Sequence, residues 1–517
     1  MHRVCLLSLL VCAVPLSARA QFFDPPANAD RLAGNAGAGG EGAAGAGGGA
    51  LADFDSLMNL IQTTIEPDTW EALGGVGTMA PYPAGIIIDP DGLVRHNNFE
   101  PAKSTPEQRA SRLRAWLQEG DAVTGETWRD AAPIRCVSMR RWMQTLMTAS
   151  IDPNFLVDEE AVQNVAGLSV VTMLIVTDDD LILAGPVGGF DTVHGWEVDR
   201  RSGLPPLRLS AMGIGLSAAR HNRPFGCTID PTPAGLRSAA AVSADVAAGT
   251  VAIGQAANSL ASALGRQDVR VFGTPANHEV AWLMIEADRH MKQVALGMKE
   301  MPEGTANFPR MVQMQSPEQP PTDLLLRLWF TGQPLSMRQT DAGDATIVQL
   351  AGTPLQLSGD NELALLTGQR GHRVVDPVTQ SFVSHFNDNW SSIRSTYPLY
   401  GALESVYRSV ALMQCWHQIG VSSDHEVLRR SLLHFASHRA EQLPIASEVD
   451  SIAILHRYQH RRRLHHLVLA SGGVSVAPTS LVGVATEYAP LRDYARLSDG
   501  RPSERWWWNA SNPRIQP

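Results

Sequence analysis

The sequence predicts an α+β fold: small mixed sheets with packed helices, divided over several domains and preceded by a disordered Gly/Ala-rich tether. Three observations predict it. Segments of strand periodicity and segments of helix periodicity are mixed along the chain. At 517 residues the chain is long for a single core, with about three domains as the soft expectation. Residues 33–50 are almost pure Gly and Ala, a composition that cannot bury a core.

The first element is a leader. Arg3, the apolar run Val4–Leu16 and the small residues of Ala18-Arg19-Ala20 follow the order of a secretory signal peptide, assigned to residues 1–20 with cleavage after Ala20. That run is too short for a permanent membrane helix. No later segment holds eighteen uninterrupted apolar residues, so the mature chain is expected to have no transmembrane helix. A flexible linker follows over 21–52. Phe54, Leu57, Ile61 and Ile65 then recur at helical spacing, and Pro67 stops that helix. Ile86–Ile88 reads as a strand before the turn Asp89-Pro90-Asp91-Gly92, so 53–100 is a small α+β unit.

A central α+β domain is expected over 107–305. Val170–Val176 and Leu181–Ala184 form a hairpin around Asp178-Asp179-Asp180, which reads as a solvated turn rather than a metal site. Residues 232–264 are Ala-rich and helical. Glu279–Glu300 is the clearest helix, because Val280, Met284, Ala287, Met291, Val294 and Met298 make one apolar stripe. On it, Asp288 and Lys292 sit four apart with the acid first, the favourable order for a surface pair.

Pro317, Pro320 and Pro321 precede a C-terminal α+β domain over 320–480. It holds a strand at Leu324–Phe330 and a helix at Pro398–Ile419 ended by Gly420. Ser423 opens a further helix through a capping box with Glu426. Ile452–Tyr458 alternates as a strand, turns through Gln459–Arg463 and returns as Leu464–Leu469. Residues 481–517 are expected to be an irregular tail, in which Trp506-Trp507-Trp508 marks a docked terminus or a contact surface.

The formal charge of −10 becomes −12 when Arg3 and Arg19 leave with the leader, which excludes a global attraction to nucleic acid. Beyond the leader, Cys136, Cys227 and Cys415 are far apart and odd in number. They make no disulfide scaffold; three buried thiols are expected, with one bridge as the alternative.

The chain lacks a G-x-x-x-x-G-K-[ST] loop, an H-E-x-x-H motif, a G-x-S-x-G elbow and a C-x-x-C pair. Gly213-Ile214-Gly215 with Ala218 fits a loose dinucleotide pattern, but no acid stands at the spacing that pattern needs, and no cofactor is expected. Half of the sixteen histidines fall between His417 and His466. His434 and His438, four apart on a helix, are the candidate metal pair, with surface histidines as the plain alternative. Arg461-Arg462-Arg463 suits phosphate or anionic lipid, or a solvated turn. Cys227, followed by the turn signal Asp230-Pro231, is a candidate nucleophile only with a histidine beside it; His221 lies six residues back.

Four segments carry a resemblance: Cys227-Thr228-Ile229-Asp230-Pro231-Thr232; Glu286-Ala287-Asp288-Arg289-His290-Met291-Lys292 continuing to Ala295-Leu296-Gly297-Met298; Leu328-Trp329-Phe330; and Ser471-Gly472-Gly473-Val474. In this order they resemble an uncharacterised family of exported bacterial proteins, domain-of-unknown-function family 1598. The resemblance spans roughly residues 80–480, and its most specific part is the E-A-D-x-x-M-K core. It implies export and a shared fold, and it assigns no activity. His290 departs from the apolar or basic residue the pattern carries there, and the tail after about 480 is individual. Separately, Phe54–Gly77 looks like a module found ahead of several exported and secretin-related bacterial proteins.

The functional expectation is an exported, non-enzymatic envelope scaffold or interaction protein, periplasmic or extracellular, whose partner is another envelope protein rather than a nucleic acid. The alternative is an exported hydrolase using Cys227 or an acid of the 286–292 segment. Cys227, Asp230, Glu286, Asp288 and Lys292 are the residues singled out for a functional or structural motif. A pocket where they converge would favour the enzyme; burial in apolar core would favour the scaffold.

Overall fold

The computed structural model describes residues 78–82, 85–89, 127–315, 325–364, 370–420, 422–460, 462–498 and 505–511. The expected leader, linker and helix at Phe54–Ile65 lie outside them. The expected strand at Ile86–Ile88 lies in β2 (Gly85–Asp89), antiparallel to β1 (Thr78–Tyr82). Along the chain then come β3 (Ala132–Ser138), α1 (Met139–Ile151), α2 (Glu159–Gln163), β4 (Met173–Val176), β5 (Leu181–Val187), β6 (Phe190–Val193) and β7 (Trp196–Asp199). Next are α3 (Leu209–His221), β8 (Phe225–Pro231), α4 (Pro233–Ala248), α5 (Ala256–Leu264), β9 (Arg266–Phe272), α6 (Glu279–Ala295) and α7 (Phe308–Gln315). Five strands follow: β10 (Leu325–Gly332), β11 (Leu335–Ala342), β12 (Ala345–Ala351), β13 (Leu355–Ala364) and β14 (Arg370–Val374). The rest is α8 (Pro377–Asp388), α9 (Trp390–Thr396), α10 (Pro398–Ile419), α11 (Ser423–Arg439), β15 (Glu448–Asp450), β16 (Ile452–His460), β17 (Arg462–Val476), β18 (Val482–Glu487) and β19 (Trp507–Ala510). The fold is mixed α and β, as the sequence predicts.

Two sheets organise it. One runs β14-β13-β10-β17-β8-β9-β15, with β16 also paired to β17; the other runs β18-β11-β12-β4-β5-β3-β19. Pairing is antiparallel except for β10 with β17 and β11 with β18, which are parallel. Each sheet therefore draws strands from both sides of the Pro-rich segment, and the expected division into 107–305 and 320–480 is not how the strands assemble. A Pro-rich break marks where a local pattern ends, but it carries no information about which strand pairs with which. The tail is not irregular either, since it supplies β18, β19 and a 3-10 segment at Ala489–Ser498. The Trp506–Trp508 run is docked: Trp506 stacks on Trp142 at 5.0 Å, and the buried Arg135 lies over the Trp507 ring.

Local chemistry explains several element limits. The β4–β5 hairpin forms where the sequence places it, but Asp180 at its tip is buried rather than solvated. Its carboxylate accepts from Ser138 Oγ and from the Arg140 N–H, and so anchors the first turn of α1. Gly213 and Gly215 lie inside α3, where an added Cβ would be 2.4 Å from the Ala436 Cβ and 2.9 Å from the Val410 Cα. They let α11 and α10 approach the helix backbone, and the dinucleotide reading falls because no loop exists there. The helix at Pro398–Ile419 matches its expected limits, while α11 is capped by Ser422 rather than Ser423, its hydroxyl accepting from the His425 N–H.

α6 begins at Glu279 as expected but ends at Ala295, short of Glu300. Gly297 takes φ +77°, the Gly297 N–H reaches the Val294 carbonyl, and the Met298 N–H reaches the Gln293 carbonyl. This glycine-ended Schellman arrangement satisfies two orphan carbonyls and stops the helix. Met284 and Met291 are fully buried on the stripe, whereas Met298 lies past the stop and is 58 % exposed.

Candidate functional site

The four segments of the resemblance meet. β10, β17 and β8 are adjacent strands, and α6 packs across them. Residues up to 247 positions apart, from Cys227 to Val474, therefore build one layer of three strands under one helix. α10, buried along most of its length, covers α6 from the other side.

Glycines set the distance between helix and sheet. Gly472 stands opposite Leu328 of β10 and Ile229 of β8, and Gly473 opposite Trp329 and Thr228. A Cβ on Gly472 would sit 1.6 Å from the Leu328 carbonyl oxygen and 3.2 Å from Asp288 Oδ1; one on Gly473 would sit 2.2 Å from the Cys227 carbonyl oxygen. No side chain fits between β17 and what presses on it, and the space is taken by the Asp288 carboxylate descending from α6.

That carboxylate is completely buried, and Lys292, one turn on, is 3 % exposed. Lys292 Nζ lies 2.7 Å from Asp288 Oδ2. The surface pair expected from i,i+4 spacing is thus an interior ion pair. The spacing holds either way; the side of the helix on which the pair falls is decided by the apolar stripe, and Asp288 follows Ala287 on the buried side. Burial raises the Asp288 pKa, and Lys292 with the Gly473 N–H opposes that rise. Cys227, 1 % exposed, faces the same pair from β8, and burial pushes its thiol far up, with the Asp288 charge adding to the effect. Tyr400 of α10, also fully enclosed, feels Asp288 and hydrogen-bonds His290 Nδ1 at 2.8 Å. Burial, aided by Lys299, holds His290 down at about 4, so it is neutral at physiological pH.

The outer candidates stand around this pair. Asp230 at the end of β8 lies 3.5 Å from Arg327 of β10. Glu286, half-buried on α6, is pushed up to about 7 by burial, with Arg289 opposing. The sign follows: a folded pKa above the unfolded 4.5 means stability is fully present below about pH 4.5 and is lost as pH rises through 7. Glu286→Gln removes that loss. It is expected to stabilise the protein by about 1–2 kcal/mol at pH 8, discounted for partial exposure, and several-fold less at pH 5. Urea midpoints of variant and parent at the two pH values check this; equal gains at both would refute the assignment.

The other sequence candidates do not join the cluster. His221, the supposed partner of Cys227, is exposed at the end of α3 and turned to the Ser217 carbonyl. His434 and His438 lie side by side on the exposed face of α11, ring centroids 4.2 Å apart, with His438 Nδ1 at the His434 carbonyl. Among the described residues, no group of three His, Cys, Asp or Glu is placed to hold a metal. Cys136, Cys227 and Cys415 are all buried and free.

Sequence reasoning missed a second buried charge cluster. Glu404 of α10, completely enclosed, is met by Arg408 at 2.6 Å, Arg394 at 2.8 Å and the Trp390 indole N–H at 2.7 Å. Its i,i+4 spacing to Arg408 was the available signal, yet this spacing alone looks the same on any helix surface.

What the central arrangement offers chemically is limited by access. A small crevice beside it is lined by Lys292 and Arg289 together with Gln267, Asp450 and Ile452; neither Cys227 nor Asp288 lines it. No curated protein and no solved structure matches the chain. Residues 227–308, running from Cys227 in β8 through α6 to the start of α7, match the model of the family described as Protein of unknown function (DUF1598), the family that the four segments resemble.

Proposed function

We propose that the chain is an exported scaffold or interaction protein, and that the Asp288–Lys292 pair is a structural pin joining α6 to the β10-β17-β8 strands. One observation carries this reading: Cys227, Asp288 and Lys292 lie together yet are 1 %, 0 % and 3 % exposed, so these three residues of the resemblance face the interior and not a substrate. A nucleophilic cysteine needs a lowered pKa and an adjacent base. Cys227 has the opposite electrostatics, and its sequence neighbour His221 points elsewhere. Export rests on the leader pattern of residues 1–20.

One preparation tests both parts. Protein recovered from the exported fraction is expected to begin at Gln21 by mass spectrometry, and its three thiols are expected to stay unreactive toward an aromatic disulfide reagent until urea is added. Retained Met1 would overturn export. A thiol at Cys227 that reacts rapidly in the native protein would restore the hydrolase.

A further inference from the structure

The geometry points to His434 and His438 as a two-nitrogen site for a divalent transition-metal ion, Cu(II) ahead of the others. Both side chains are exposed and stand one turn apart on α11, with ring centroids 4.2 Å apart and ring planes inclined by 44°. An ion about 2.0–2.1 Å from each Nε2, with the two nitrogens cis at about 90°, requires ring centroids about 4.4 Å apart. The rings therefore already stand close to the separation that chelation needs.

The ring protons are placed to suit. In the last turn of α11 the His434 carbonyl oxygen lies 2.7 Å from His438 Nδ1 and 2.9 Å from Ser437 Oγ. A carbonyl oxygen only accepts, so neutral His438 carries its proton on Nδ1 and its lone pair on Nε2. Metal-binding imidazoles are held in this way, by an N–H donated to a carboxylate or a backbone carbonyl. The Phe435 ring meets His434 edge-on at 5.2 Å and limits its swing. Leu428, Leu432, Phe435 and Ala436 bury another face of α11, so the pair rides on a fixed helix. The arginines on either side are tied to carboxylates: Arg430 Nε lies 3.1 Å from Glu426 Oε1, and Arg439 Nε 3.3 Å from Glu159 Oε2. Their charge is partly offset before a dication approaches.

The donor set decides which ion. Neutral imidazole suits copper, nickel and zinc, whereas magnesium and calcium take oxygen ligands. Cu(II) heads the divalent affinity order and accepts a tetragonal shell that water completes. Among the described residues no third His, Cys, Asp or Glu closes the set. Two protein ligands make an open site, unlike the closed four-ligand shell of structural zinc. The pair stands outside the α6 layer, so this assignment does not rest on the Asp288–Lys292 pin.

The test adds Cu(II) alone to the full chain and follows its visible absorption and electron paramagnetic resonance. One equivalent is expected to show coupling to two imidazole nitrogens. His434→Gln and His438→Gln are each expected to weaken that equivalent about a hundredfold and to leave coupling to one nitrogen, because losing either ligand destroys the chelate. The double variant is expected to lose it altogether. His221→Gln, exposed at the end of α3, is expected to leave it unchanged. Zn(II) should compete for the site more weakly than Cu(II), and Mg(II) should not compete. Circular dichroism of each variant before titration keeps a loss of fold distinct from a loss of ligand. A two-nitrogen equivalent that survives either single substitution in α11, one that His221→Gln removes equally, or a parent that shows none would each overturn the assignment.

Discussion

Asp288→Asn is expected to lower the free energy of unfolding by about 3–5 kcal/mol, the range for breaking a buried ion pair by removing one partner. The neutral amide leaves the Lys292 ammonium, 3 % exposed, without its counter-charge at 2.7 Å. An exposed pair at the same helical spacing would cost less than about 1 kcal/mol. Lys292→Met should cost a comparable amount for the opposite reason, since an acid is left beneath α6 beside Cys227 and Gly472. The double variant Asp288→Asn/Lys292→Met should recover much of either loss, because no net charge is then buried. Urea melts of the four proteins form the cycle. A loss under about 1 kcal/mol for both single variants would mean that the pair is not enclosed, and would reopen the hydrolase reading if an activity disappeared with Asp288.

The same residues show where sequence reading succeeds and where it stops. Local pattern located α10 to the residue, and it placed the β4–β5 hairpin and the start of α6, because each depends on period, cap or turn chemistry within a few positions. It overran the end of α6 because Gly297 lies inside the apolar period, and the methionine repeat continues past it. It separated β8 and β9 from β10 and β17 because strand pairing is non-local: nothing in Leu325–Phe330 says that Leu469–Val474 lies alongside. It mistook the depth of Asp288 for the same reason. A carboxylate four residues before a lysine reads as solvent-facing until the two glycines at 472 and 473, nearly two hundred positions away, are seen to leave room for it. The resemblance to the family of unknown function supplied these distant segments as a set, and the fold supplies the cause of their co-occurrence, which is a shared contact.

Gly472→Ala is expected to be the most damaging of the conservative changes, costing more than about 4 kcal/mol and reducing soluble yield. The added methyl would lie 1.6 Å from the Leu328 carbonyl oxygen and 2.8 Å from its carbon, both main-chain atoms of the neighbouring parallel strand, with Asp288 Oδ1 at 3.2 Å. No rotamer change relieves such a contact; β10 and β17 must separate or α6 must lift, and either movement opens the ion pair to water. Gly473→Ala should behave similarly, through the Cys227 carbonyl oxygen at 2.2 Å on the other side of β17. Gly343 separates the steric cause from a general intolerance of glycine replacement. It occupies the β11–β12 turn at φ +67°, with nothing within 4 Å of an added Cβ, so Gly343→Ala meets only the left-handed backbone cost of about 1 kcal/mol. The contrast between a strained residue in open space and a glycine wedged between strands is what urea denaturation of the three variants measures. If Gly472→Ala melts no lower than Gly343→Ala, then β17 is not pressed between β10 and α6, and the buried position of Asp288 falls with it.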